Sequence, residues 1–143
     1  MRGKSDASKL GPMTKFGKLF PLVLAGLMTL VPASSQTPED LDKWMKTVGK
    51  TMGELRKANE AKDEAAIKAG GKTLVEMFTN AGKFWEKHKM ADAVEMNKKS
   101  LDAAKALADG TGQLAAVGGT CKGCHDMYRE KAEDGSYKLK MNH

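Results

Sequence analysis

The side chains with the most distinctive chemistry lie together in Thr120-Cys121-Lys122-Gly123-Cys124-His125. Two thiols separated by two residues are followed directly by an imidazole. On a helix, residues three apart share a face, so both thiols can reach the edge of one planar ring while His125 aims at its centre. That spacing is the attachment signature of a c-type haem, in which two thioethers tether the porphyrin and the histidine becomes a permanent axial ligand. The expected cofactor is one haem c, covalently held through Cys121 and Cys124.

Three other readings use the same thiols. A thioredoxin-like redox pair needs a βαβ context, and no strand pattern surrounds this motif. A tetrahedral zinc site needs two more ligands; the chain has no second cysteine pair, and its other histidines are His88 and His143. A disulfide between Cys121 and Cys124 is sterically open but leaves His125 without a part.

At 143 residues the chain has room for one domain. Its net charge of +6 is concentrated at the start: residues 1–35 carry five Lys/Arg against Asp6, while the other 108 residues hold 19 basic and 17 acidic side chains. A domain so nearly balanced gives no case for a nucleic-acid partner. Residues 1–35 read as a secretory signal peptide. A basic region ends at Lys18, and the apolar run Leu19–Val31 is 13 residues long, short of the ~20 that span a bilayer. Pro32-Ala33-Ser34-Ser35 follows, with cleavage expected after Ala33 or Ser35. There is no twin-arginine pair. The expectation is export through the general secretory route, a periplasmic location and no stable membrane insertion.

The haem motif must be positioned by what precedes it. Thr37-Pro38-Glu39-Asp40 is a helix start: a capping hydroxyl, a proline suited to the first turn, and acids at the positive end of the dipole. Leu41, Trp44, Met45, Val48, Met52 and Leu55 then recur with helical period, predicting a first helix to about Lys57 or Ala58. A second helix begins at Asp63 or Glu64, with Ile67, Leu74, Phe78, Ala81 and Trp85 as its stripe. Gly70-Gly71 interrupts it, marking either a bend or a close neighbour. A third helix covers about Met90 to Ala108, with Met90, Val94, Leu101, Ala104 and Ala108 inward. Asp109-Gly110-Thr111-Gly112 punctuates. A fourth helix, from about Gln113 through Glu133, carries the haem motif and turns Leu114, Val117, Cys121, Cys124 and Tyr128 inward. Asp134-Gly135 ends it, and Ser136–His143 is expected as a short mobile tail. No strand alternation stands out. The fold expected for residues 36–143 is all-α, an antiparallel four-helix bundle with the covalently bound haem c as part of its core.

Cys121-Lys122-Gly123-Cys124-His125-Asp126-Met127-Tyr128-Arg129 on the last helix of an exported four-helix domain resembles the class II cytochromes c, the cytochrome c-prime and cytochrome c-556 group. The first helix, Trp44-Met45-Lys46-Thr47-Val48-Gly49-Lys50-Thr51-Met52-Gly53, is similar to the family's first helix. There a distal residue lies seven before a recurrent methionine; Met45 and Met52 fall on those positions. The resemblance implies His125 as proximal ligand. It also implies Met45 as the sixth iron ligand, as in the c-556 branch, since the c-prime branch has a non-ligand there and an open site. Arg129 resembles the family's arginine beside the proximal histidine, able to bind a haem propionate or screen the ligand, and Tyr128 is expected to pack against the ring. Met52, Met90, Met127 and His88 are rival ligands. The family often has an arginine early in the first helix; Leu41 stands at about that place, with Lys43 the nearest cation.

The function expected is a periplasmic one-electron carrier with six-coordinate His/Met iron. The alternative is a five-coordinate protein binding nitric oxide or carbon monoxide. No distal His–Arg pair suggests an enzyme. Its partners would be redox proteins, and the chain would be a monomer or homodimer; Lys122, Lys131, Lys138 and Lys140 around the haem-bearing end read first as solvating charges and second as a basic rim steering an acidic partner.

Overall fold

Thr37 starts the first helix in a reciprocal cap. Its Oγ1 accepts from the Asp40 amide at 3.2 Å, and the Asp40 carboxylate accepts from the Thr37 amide at 3.1 Å. The computed structural model describes residues 36–141; the leader expected over residues 1–35, and His143, lie outside the described residues. From that cap runs α1 (Pro38–Glu60), followed by α2 (Glu64–Lys87), α3 (Ala91–Asp109) and α4 (Leu114–Tyr128), then two short strands, β1 (Arg129–Lys131) and β2 (Tyr137–Leu139). Asp63 caps α2 by accepting from the Ala66 amide at 2.9 Å. Gly110, at φ +78°, closes α3 in the left-handed conformation that glycine adopts without strain. The short links force neighbouring helices to run antiparallel. No helix among the described residues is long and apolar enough to cross a membrane.

α2 packs extensively on α1 and α3, and α3 on α4, whereas α1 and α4 meet only sparingly. The core is accordingly divided. Toward one end, Val48, Met52, Leu55, Leu74, Phe78, Ala104, Leu107 and Val117 are buried together. Toward the other, Leu41, Ala81, Phe84, Trp85, Ala93 and Tyr128 form a second cluster. Half-buried Met45 packs against both. Each fully buried side chain, such as Phe84, Leu74 or Leu107, contributes about 1.5–3 kcal/mol.

Gly70-Gly71 reflects close approach. α2 continues unbroken through the pair. A Cβ on Gly71 would lie 2.6 Å from the Ala108 amide nitrogen and 2.8 Å from its Cα, and one on Gly70 would lie 2.6 Å from Leu55 Cδ2. The two glycines let α1 and α3 press against adjacent flanks of α2.

Two expectations need correction. In α3 the buried face is Ala93, Asn97, Ser100, Ala104 and Leu107, rotated from the stripe through Val94, Leu101 and Ala108. Apolarity alone misled there, because two inner positions are polar and satisfied. Asn97 Nδ2 donates to the Phe78 carbonyl at 2.8 Å, and Ser100 Oγ bonds Thr120 Oγ1 at 2.8 Å.

The second correction concerns the C-terminal end. α4 stops at Tyr128, not Glu133. Arg129 is extended (φ −125°, ψ 128°), and the chain folds back as an antiparallel hairpin in the register Arg129↔Leu139, Glu130↔Lys138, Lys131↔Tyr137. Asp134-Gly135 is the turn. Gly135 takes φ +81°, and the Asp134 carboxylate accepts from the Ser136 amide at 2.9 Å and its hydroxyl at 2.6 Å. Residues expected as a tail are thus paired with β1.

If Gly71 is a contact point, Gly71→Ala should lower the unfolding free energy by about 1–3 kcal/mol through overpacking. Gly53→Ala, whose added Cβ meets nothing within 4 Å, should raise it by up to ~1 kcal/mol through helix propensity. Urea titration of the two variants checks both signs.

Candidate functional site

Where α1 and α4 stand apart, a cavity of about 1100 Å³ opens between them. On the α4 side it is lined by Thr120, Cys121, Cys124, His125 and Tyr128, and on the α1 side by Leu41, Met45, Val48, Gly49 and Met52. Phe78 and Trp85 of α2 and Asn97 and Ser100 of α3 form its floor. An added Cβ on Gly49 would meet nothing within 4 Å, so the α1 wall leaves open space there. The volume is at the upper end of ordinary ligand pockets, and its lining is mostly apolar between rims of charge. It suits a broad, flat, largely apolar group tethered from one side.

Cys121 and Cys124 are free thiols, each half-buried on the cavity face of α4. Burial pushes the Cys121 thiol up from its ordinary range. Burial, with smaller contributions from Asp92 and Cys121, pushes Cys124 up to about 11. A redox-active cysteine pair needs a lowered value and a positive setting; here the thiols are held protonated in an apolar wall, which disfavours the thioredoxin-like reading. His125, half-buried, is lowered by burial first and by Arg129 second, with Asp126 opposing. That shift favours the neutral ring, the form that ligates a metal.

Which α1 residue faces His125 follows from helix geometry. The Met52 methyl lies 3.8 Å from the position of a Cβ built on Gly118, so Met52 is level with Gly118. α1 and α4 run in opposite directions. Moving seven residues back along α1 to Met45, and seven forward along α4 to His125, covers the same two turns, about 10.5 Å. On that count Met45 comes nearer the height of His125 than Met52 does, and both Met45 and His125 line the cavity. Met52 is two turns away. The other rivals are outside: Met127 is 42% exposed, His88 stacks on Phe84 with ring centroids 4.3 Å apart, and Met90 packs on the second core cluster.

Tyr128 is buried against Trp85, ring centroids 5.1 Å apart, and both line the cavity. Burial, then Asp92, pushes its phenol up to about 12, so it stays neutral. Arg129 is displaced from its expected place one helical turn beyond His125. Carried on β1, its guanidinium lies 4.0 Å from the centroid of the Tyr137 ring, at the cavity rim. Leu41, where the family often has arginine, is buried core. Lys43, also at the rim, is exposed and 4.0 Å from the Asp40 carboxylate.

Sequence reasoning missed Asn97, Ser100, Tyr137 and Leu139 as cavity residues. The hairpin had a signal: Asp-Gly followed by the alternation Tyr137-Lys138-Leu139.

No family model and no solved structure matches the chain. A curated protein does: the cytochrome c' of Pararhodospirillum photometricum is 57% identical over a segment covering 28% of this chain and 36% of that relative. The chain thus spans about a third of the length of the relative it matches.

The Ser100–Thr120 bond fixes α3 to the turn of α4 just before Cys121. Ser100→Ala should lower stability by about 1 kcal/mol, the usual net worth of one such bond. Chemical denaturation of the purified protein measures it.

Over that short segment the chain is similar to a cytochrome c', in keeping with the class II cytochrome c resemblance carried by Cys121, Cys124 and His125.

Proposed function

We propose that this protein is a c-type cytochrome that carries single electrons between redox partner proteins in the periplasm. The supporting observation is a single cavity lined by Met45 on α1 and by Cys121, Cys124 and His125 on α4.

Bound in that cavity, haem c would supply the ferric/ferrous couple. Cys121 and Cys124 would hold it by thioether bonds, one face of α4 serving both. His125 would hold the iron through its imidazole, and Met45 would hold it through a soft thioether, a ligand type that favours the reduced metal and raises the potential. Leu41, Val48 and Met52 keep that side dry and offer no acid–base pair, so the site is built to hold an electron rather than to turn over a substrate. Tyr128 and Trp85 close the proximal side with a neutral, apolar surface. Arg129, at the rim, is placed to meet a carboxylate of the porphyrin.

The relationship to a cytochrome c' favours one further reading. Met45 would be wall only, and the open face would take nitric oxide or carbon monoxide.

The absorption spectrum of the purified ferric protein separates the two. A low-spin spectrum with a weak far-red charge-transfer band is expected, together with sluggish carbon monoxide binding when reduced. Met45→Ala should turn it high-spin and let carbon monoxide bind rapidly, while Met52→Ala should leave the spin state unchanged. A high-spin wild type, or a Met45→Ala spectrum like that of the wild type, would overturn ligation by Met45. Replacing Cys121 and Cys124 together with serine should abolish covalent haem, read as loss of the haem mass from the intact chain.

A further inference from the structure

The hairpin after α4 is more than a way to end the chain. Arg129, Ser136, Tyr137, Lys138 and Leu139 all line the same cavity as Cys121 and His125. The register places Arg129 opposite Leu139 and Lys131 opposite Tyr137. Because side chains alternate along a strand, Arg129, Lys131, Tyr137 and Leu139 share one face, and Glu130 and Lys138 share the other. Leu139, with Met141 beyond it, packs against the cluster containing Leu41, Trp85 and Tyr128, which turns the first face toward the bundle. The Lys140 amide donates to the Tyr128 carbonyl at 2.8 Å, joining the returning strand directly to the end of α4.

On this face Tyr137 stands out. It lines the cavity yet is 55% exposed, one of the two large exposed hydrophobic side chains among the described residues. It is braced by the Arg129 guanidinium over its ring, a diagonal pair within reach across two strands. An aromatic ring held rigidly at the mouth of an apolar cavity is a surface for a flat apolar ligand. A two-stranded hairpin is marginal by itself in water, so both its docked apolar side chains and any ligand it touches contribute to keeping it in place.

We propose that the hairpin is a wall of the cofactor site: Tyr137 and Leu139 contact the edge of the haem, and Arg129 is a positioning residue that holds Tyr137 against it. The inference rests on the haem reading above. The bundle alone would leave that edge to solvent; the hairpin covers it and limits how closely small reductants approach.

The test uses the full-length, reduced holoprotein. In its NMR spectrum the Tyr137 ring resonances should be displaced from the positions of an exposed tyrosine by the porphyrin's ring current. Glu130→Ala, on the outer face and outside the cavity lining, should leave them in place, and Arg129→Gln should reduce the displacement. Tyr137→Ser and Leu139→Ser should each retain covalent haem and accelerate reduction of the ferric protein by ascorbate. Tyr137 resonances at exposed-tyrosine positions in the wild-type holoprotein would overturn the proposal, whatever the variants do. So would unchanged reduction rates in both serine variants. A colourless protein without haem mass would instead fail the haem reading itself, so the two failures are distinguishable.

Discussion

The physical constraint on which the rest depends is the separation of α1 from α4. Both helices are anchored through the middle pair, α1 on α2 and α4 on α3, and they barely touch each other. The anchoring is tight where it needs to be. Gly70 and Gly71 let α1 and α3 close on α2 to distances no side chain would permit, and Ser100–Thr120 fixes the height of α4 against α3. With those positions set, the gap between the outer helices is a fixed space of about 1100 Å³. The gap opens to solvent at a charged rim and is walled inside by Leu41, Met45, Val48 and Met52 facing Cys121, Cys124 and Tyr128.

The chemistry of the site follows from which residues the helices bring to the gap. α4 contributes two thiols and an imidazole, and burial shifts each further toward its uncharged form. α1 contributes thioethers and aliphatic groups. Charge is confined to the rim, where Lys43, Lys46, Arg129 and Lys138 stand with Glu39 and Asp42. This division of an apolar interior from a charged edge matches a ligand with a hydrophobic body and anionic substituents. Met45 and Met52 both stand on the α1 wall of this gap and His125 on the α4 wall.

Much of this was legible in the sequence, for identifiable reasons. The caps of α1 and α2, the period of Leu41, Val48, Met52 and Leu55, and the punctuation at Gly110 are local signals, and they placed the elements within a few residues. The Cys121–Cys124–His125 spacing was legible because tethering one ring through two thiols, the expectation it raised, demands a fixed geometry. What escaped were features set by non-local pairing. Asn97 and Ser100 are buried because their partners, the Phe78 carbonyl and Thr120, lie on other helices; a reading of apolar periodicity turns such residues outward. The hairpin escaped because Arg129–Lys131 is short and charged, with nothing strand-like in its composition. It is held in place by Leu139 and Met141 docking on a cluster assembled from four helices, information that no window around residue 130 contains.

The most direct test of the central assignment is an NMR spectrum of the reduced protein with labelled methionine methyl groups. Ligation by Met45 requires one methionine methyl displaced far upfield by the porphyrin above which it lies, and that resonance should vanish in Met45→Leu while persisting in Met52→Leu. A spectrum with no displaced methionine methyl, or with one that vanishes in Met52→Leu instead, would contradict it.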